Sequence, residues 1–347
     1  MRHRIYGQAI DSVGRAATRA LLVCASAATL ACIPPLEEPK TAQGEAAQAP
    51  PSDELTRKGL DAIKAKDYAK AKQFLAEARK ANPKDAQNPY YLGVAEQESG
   101  NRAGAIAAYR ECLALDPKFT EASINLGAIL LEGHNPAEVA ESVKVSDEGL
   151  KHNPKSADLA KNKAVALADS GDFAAAAEAY KKLMEAAPQD LRLRYDYARI
   201  LSDSGKIPEA IAALKPVGES TDVKLLNAAG SLNAQLGAYE ECVTVFDKVI
   251  QAGPNVSALV NRGNCKRGLK DLKAERADYE QALQIDPNYA PAHLSLGLNL
   301  FYVGKDRAQA IAELQKAKQL GQGTPVAEEA DKMLAELDRA SGKKKKK

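Results

Sequence analysis

An all-α solenoid of about eight helical hairpins, closed by a C-terminal capping helix, is the architecture encoded in this 347-residue chain. Three features point to it. Glycine or alanine returns at a near-constant interval: Gly59, Gly93 and Gly127 stand 34 apart, and Ala164, Ala198, Gly230, Gly263 and Gly297 continue the series. Proline returns in a second phase, at Pro83, Pro117, Pro154, Pro188, Pro254 and Pro287. Between those marks apolar residues recur three and four apart, the period of an amphipathic helix. A period of this length means a chain of small units, none of which buries its apolar face alone.

Composition agrees. Hydrophobic residues reach 45%, enough for a packed core, and aromatics only 5% with no tryptophan, so that core is built from small aliphatic side chains. The formal charge of +2 conceals basic ends: Arg2, Arg4, Arg15 and Arg19 at the start, five lysines at 343–347. Without them the body holds more acidic than basic residues, which argues against a nucleic-acid-binding surface.

Residues 1–31 read as a signal peptide. A basic stretch precedes the apolar run from Ala20 to Ile33, which Pro34 and Pro35 stop. The run is too short to span a hydrocarbon core, which needs about 20 helical residues, and its small residues suit a processing site. Thr29-Leu30-Ala31-Cys32 resembles the lipobox of bacterial lipoproteins. That resemblance implies cleavage before Cys32, acylation of its thiol and amino terminus, and, with Ile33 rather than Asp following, sorting to the outer membrane. Leucine falls one place later than the family prefers. Ordinary cleavage after Ala27, giving a soluble periplasmic protein, is the alternative. Residues 32–51, rich in Pro, Ala and Gln, form a linker.

The repeats occupy 52–322, in units at about 52–85, 86–119, 120–156, 157–190, 191–222, 223–255, 256–289 and 290–322. Each reads as two helices. In the second unit apolar residues recur on both sides of Ser99-Gly100-Asn101. Gly100 ends the first helix, and Pro117 stands where the second cannot continue. This pattern resembles the tetratricopeptide repeat family. The eighth place of its repeat is the Gly/Ala series; the twentieth holds Ala71, Ala105, Ala176, Ala210, Cys242 and Ala310; the large twenty-fourth residue is Leu75, Tyr109, Tyr180, Leu214, Phe246, Tyr279 or Leu314. Departures are local. The third unit has Ser142 and Ser146 at the twentieth and twenty-fourth places and an insertion near Gly133–Pro136. The fifth lacks its closing proline. The seventh has Glu275 at the twentieth place, an expected source of a shifted or splayed second helix. Thr324-Pro325 opens a capping helix over 323–341, and 342–347 is a lysine-rich tail.

The resemblance implies a right-handed superhelix whose first helices line a concave groove holding a protein or peptide. By position, the groove candidates are Tyr90, Asn125, Lys161, Asn162, Tyr195, Arg199, Asn227, Asn261, Asn264, Arg267, Leu298 and Phe301. Asn125, Asn162 and Asn261 share the sixth place, where an amide can engage a peptide backbone with donor and acceptor. Tyr195 and Arg199, one helical turn apart, form a cation–π or carboxylate-binding pair, or an ordinary solvated face.

No nucleophile–base constellation, metal-ligand spacing or phosphate loop stands out, so neither catalysis nor a cofactor is expected. Cys112 and Cys242 replace alanine at helix contacts and read as buried small residues; a Cys242–Cys265 bridge is the alternative in an oxidising compartment. The expected molecule is an outer-membrane lipoprotein facing the periplasm, a non-catalytic scaffold that touches the membrane only through its lipid. A cytoplasmic adaptor or co-chaperone, and an enzyme with a groove active site, are the rival expectations.

Overall fold

The computed structural model describes residues 51–304 and 306–342, all of whose regular structure is helical. The expectations for residues 1–50, Cys32 among them, and for the lysines 343–347 lie outside the described residues. The chain divides into two compact units, with the division between Ala187 and Pro188.

The N-terminal unit has four hairpins: α1 (Pro51–Lys64) with α2 (Tyr68–Ala81), α3 (Gln87–Glu98) with α4 (Arg102–Leu115), α5 (Thr120–Leu131) with α6 (Pro136–His152), and α7 (Ala157–Asp169) with α8 (Phe173–Ala186). The second helix of each starts on a side-chain cap. Asp67, Asn101, Asn135 and Asp172 each accept a hydrogen bond from a backbone N–H two or three residues on, satisfying a donor that the helix itself leaves open.

The C-terminal unit has α9 (Leu191–Asp203) with α10 (Ile207–Leu214), α11 (Val223–Leu236) with α12 (Tyr239–Gln251), α13 (Val256–Gly268) with α14 (Leu272–Ile285), and α15 (Ala290–Asn299) with α16 (Arg307–Leu320). Helix α10 is cut to eight residues and tightens into a 3₁₀ turn at Lys215–Glu219. Pro216 explains this: it has no N–H for the helix ladder, and its ring crowds the preceding turn. Helix α17 (Pro325–Gly342) closes the unit, burying Val326, Ala330, Met333 and Leu337 against Leu294, Leu298 and Leu314. Its outward residues Glu328, Asp331, Lys332 and Glu336 are exposed. An outer face of that kind ends a stack.

The period of small residues is a packing rule. A Cβ on Gly93 would lie 2.5 Å from the Tyr109 ring, one on Gly59 2.6 Å from Leu75, one on Gly230 2.8 Å from Phe246, and one on Gly263 2.6 Å from Tyr279. The eighth residue of each first helix is small because the large residue of the second helix occupies that space. The third hairpin breaks the pattern and repairs it from outside. Ser146 is too small to fill the gap over Gly127, and Asn162 of the next hairpin fills it instead. Its Nδ2 lies 3.1 Å from where a Gly127 Cβ would be and donates to the Ile124 carbonyl at 2.8 Å. Ser142 Oγ donates to the Gly127 carbonyl at 2.8 Å.

The seventh hairpin corrects an expectation. Helix α14 is neither shifted nor splayed by Glu275, because that carboxylate is accommodated. It is fully buried, accepts from Tyr279 Oη at 3.1 Å and faces Arg267 at 4.0 Å. The Glu275 carbonyl lies only 3.2 Å from the Cβ position of Gly263, so the helices remain in close contact there.

The turns between paired helices need a left-handed residue. Gly100, Gly171, Gly205 and Gly237 supply it with φ of 77–83°. Lys66 and Lys270 hold the same place at φ 59° and 65°, a conformation that a residue with a Cβ adopts at a cost of about 1–2 kcal/mol. Lys270 is exposed, so Lys270→Gly is expected to stabilise the chain by about 0.5–1 kcal/mol, after the greater unfolded-state entropy of glycine is subtracted. A rise in the urea midpoint of the C-terminal unit checks this.

Candidate partner-binding face

Within each unit the first helices of neighbouring hairpins approach one another. The pairs α1 and α3 and α5 and α7 touch in the N-terminal unit; α9 and α11, α11 and α13, and α13 and α15 touch in the C-terminal unit. Second α-helices make no such approach, although the 3₁₀ turn that continues α10 touches α12. Each stack therefore bends toward its first helices, and their outward residues line its inner face.

In the N-terminal unit most of the sequence candidates belong to the core. Tyr90 is fully buried, with ring centroids 5.1 Å from Tyr91 and 4.8 Å from Phe119. Leu60, Ile63, Val94 and Leu131 are buried around it or beyond it. Asn125 is buried, its Nδ2 directed at Tyr109 Oη at 3.4 Å. Asn162 gives its amide to Ile124, as described. The sixth-place amides thus have intramolecular work at two of three positions. Lys161 is exposed.

The C-terminal unit keeps more of its candidates at the surface. Tyr195 lies half-buried on α9, packed against the cluster of Leu214, Val217, Leu225 and Leu232. Burial pushes its hydroxyl pKa above the usual tyrosine value, against the pull of nearby Arg199. Arg199 is half-buried one turn on and makes no ion pair among the described residues. On α11, Asn227 Nδ2 donates to Val223 O at 2.8 Å and Ser231 Oγ to Asn227 O at 2.9 Å. On α13, Asn261 is half-buried, and Asn264 Oδ1 accepts from Tyr279 Oη at 2.7 Å. Arg267 lies beside the buried Glu275. Leu298 is fully buried. Phe301 packs edge-on against Tyr302 at 4.8 Å and contributes to the apolar contact with the capping helix.

Three features beyond these candidates hold the C-terminal unit together. Asp278, 4% exposed, receives Arg262 through two bonds, at 2.6 and 3.0 Å, and Lys266 at 2.9 Å; Arg262 also reaches Asp247 at 2.6 Å. The signal for this was present, since Arg262 and Asp278 are separated by the same sixteen residues as Gly263 and Tyr279. His293 is buried between two acceptors, with Nδ1 2.5 Å from Glu313 and Nε2 2.8 Å from the Pro287 carbonyl. Cys242 and Cys265, across 6.1 Å between Cα atoms, form a disulfide joining α12 to α13. Cys242 is thus both the buried small residue read from the sequence and one end of a bridge. Cys112 is free and buried, and burial pushes its thiol pKa far above the ordinary range.

Among the described residues no cluster of three or more His, Cys, Asp or Glu could hold a metal, and no helix is long and apolar enough to cross a membrane.

Family profiles described as tetratricopeptide repeat match residues 56–118, 90–142, 138–191, 167–226 and 256–289. Among curated proteins, the tetratricopeptide repeat and J domain-containing co-chaperone DNJ1 of Cryptococcus neoformans var. grubii is 28% identical over 221 residues, 62% of this chain and 37% of its own. The peroxisomal targeting signal receptor of Candida albicans is 25% identical over 235 residues, 64% of this chain and 39% of its own. The chain therefore spans about two fifths of the length of these relatives. Among solved structures, a tetratricopeptide repeat protein from Parabacteroides merdae superposes with a TM-score of 0.52 at 19% identity, covering 72% of this chain and 99% of that one. This last likeness is one of fold.

Proposed function

The chain belongs to the tetratricopeptide repeat family, and from that premise we propose that it is a non-catalytic scaffold of the bacterial cell envelope, which holds a protein or peptide on the inner face of its stacked first helices. The family fold supports a protein-binding role rather than an enzymatic one. The observation that carries the proposal is the bend of each stack toward its first helices, with half-exposed polar side chains along the inner face of the C-terminal unit. Such a surface offers hydrogen bonds in series to an extended segment. Location is proposed on two grounds. Residues 1–31 with Cys32 carry the lipoprotein pattern. The Cys242–Cys265 bond favours an oxidising compartment over a reducing cytosol, which weighs against the cytoplasmic adaptor. The lipid on Cys32 would be the membrane contact, and the acidic excess of the body disfavours nucleic acid as a partner.

One experiment in the native host tests both halves. A photocrosslinking residue is placed at Asn261 on the inner face or, as a control, at the exposed Thr244 on α12. The chain is then recovered from fractionated cells and its intact mass measured. The expected result is a membrane-associated chain lacking residues 1–31 and acylated at Cys32, crosslinked to a polypeptide from position 261 and not from 244. A retained Met1 overturns the envelope assignment. Crosslinks from 244 alone, or equally from both, overturn the inner face.

A further inference from the structure

One covalent bond of the C-terminal unit crosses a hairpin boundary. Cys242 on α12, the second helix of the sixth hairpin, is joined to Cys265 on α13, the first helix of the seventh. Both residues are fully buried. They lie in an apolar cluster with Leu226, Val245, Phe246, Val249 and Ala258. The junction is closed one helical turn to either side of Cys265. On one side the Tyr239 ring lies 2.5 Å from where a Cβ on Gly268 would stand. On the other, Arg262 reaches Asp247 of α12 at 2.6 Å. Cys242 takes the place held elsewhere by Ala71, Ala105, Ala176, Ala210 and Ala310. Cysteine is itself a small apolar residue, so the junction can also close over two thiols.

We propose that this bond is a latch, set as the C-terminal unit folds and then sealed by burial, so that the oxidised and the reduced chain interconvert only when α12 and α13 part. Exchange begins with a thiolate striking a sulfur. A dithiol reductant attacks one cysteine sulfur, the S–S bond breaks, and the other sulfur leaves as a thiolate that takes up a proton. The reductant's second thiol then displaces the first cysteine and closes as a cyclic disulfide. Two electrons and two protons have passed to the protein. In the closed junction neither sulfur is accessible. The departing thiolate would also be expelled into apolar surroundings, which disfavour its charge. Oxidation by oxidised glutathione, which yields the bond and two molecules of glutathione, is blocked for the same reason. Thiols in that cluster stay protonated, as Cys112 does where burial pushes its pKa far above the ordinary range, and a protonated thiol is not a nucleophile. The folded chain therefore keeps the state it had when the junction closed, and carries a record of the redox conditions in which the unit folded.

The test uses the full mature chain, refolded from urea either in oxidised glutathione or in excess dithiothreitol. Each folded sample is then moved to the opposite buffer. Aliquots are quenched in acid, alkylated and digested, and the thiols at 242 and 265 are read by peptide mass, apart from the other cysteines. Circular dichroism checks that both forms, and the variant below, are folded. In each direction exchange is expected to be about a thousandfold slower than for the same chain in denaturing urea, a ratio set by how rarely the junction opens. Asp278→Ala, which leaves Lys266 of α13 without its counter-charge, should speed both exchanges about tenfold or more. Urea well below the unfolding midpoint should speed them too. Exchange as fast in the folded chain as in the unfolded one overturns the latch, as does oxidative refolding that leaves both thiols free. A reduced chain that fails to fold overturns the claim of two sealed states. Slow exchange indifferent both to Asp278→Ala and to dilute urea puts the barrier elsewhere than the α12–α13 junction, and overturns it as well. The scaffold function stands apart from all of these results.

Discussion

Gly93→Val is expected to destabilise the N-terminal unit by about 3 kcal/mol, the upper part of the usual cost of overpacking a core. Even a single methyl at Gly93 would stand 2.5 Å from Tyr109 Cε1 and 2.6 Å from Cδ1. The Tyr109 ring has nowhere to retreat: it is fully buried, its centroid is 6.1 Å from that of Tyr90, and its hydroxyl donates to Gln97 at 2.9 Å. Helices α3 and α4 must therefore separate. Urea unfolding followed by circular dichroism measures the loss. A Tyr109→Leu background tests the cause, since the smaller side chain should make Gly93→Val less costly and yield a favourable coupling energy. Additive costs would show that the two positions do not share the same space.

Asp278→Ala is expected to cost about 3 kcal/mol, because it removes a buried carboxylate that pairs two largely covered cations, leaving Lys266 without a counter-charge and Arg262 with Asp247 alone. The side chains of Arg262 and Lys266 are only 16% and 19% exposed. Arg262 retains Asp247, whose side chain is 43% exposed, while Lys266 has no other ion pair among the described residues. Asp247→Ala, at the solvated end of the same network, should cost well under 1 kcal/mol. Amide exchange in α13 and α14 is the sharper readout, since it reports opening of that hairpin rather than of the whole chain. Protection unchanged in Asp278→Ala would show that the cluster is not what holds these helices together.

The sequence revealed the architecture because one geometric constraint repeats. A small eighth residue is followed sixteen positions later by a large one in six of the hairpins, Gly59 with Leu75, Gly93 with Tyr109, Ala164 with Tyr180, Ala198 with Leu214, Gly230 with Phe246 and Gly263 with Tyr279, and the four glycine pairs lie in close contact. A periodic contact leaves a periodic trace. The binding face was less legible, because a position on a first helix does not say whether its polar group is already engaged. Asn125, Asn162 and Asn261 look identical in register, yet the first is buried on Tyr109 and the second spans two hairpins to Ile124. Tyr90 and Leu298 illustrate the complementary failure. They sit where the family places groove residues, but large apolar side chains turn into the nearest core when one is within reach. The buried charges of α13 and α14 escaped notice because Arg262, Lys266 and Asp278 read singly as ordinary surface residues.

The borrowed asparagine over Gly127 has a consequence for modularity. A repeat that supplies all its own filling can be excised, duplicated or transplanted like a bead. The third hairpin differs, because its void is filled by Asn162 of its successor, whose amide donates back to the Ile124 carbonyl. Those two hairpins are expected to act as one cassette, so that an excision or exchange separating them should cost stability that one made elsewhere in the array does not.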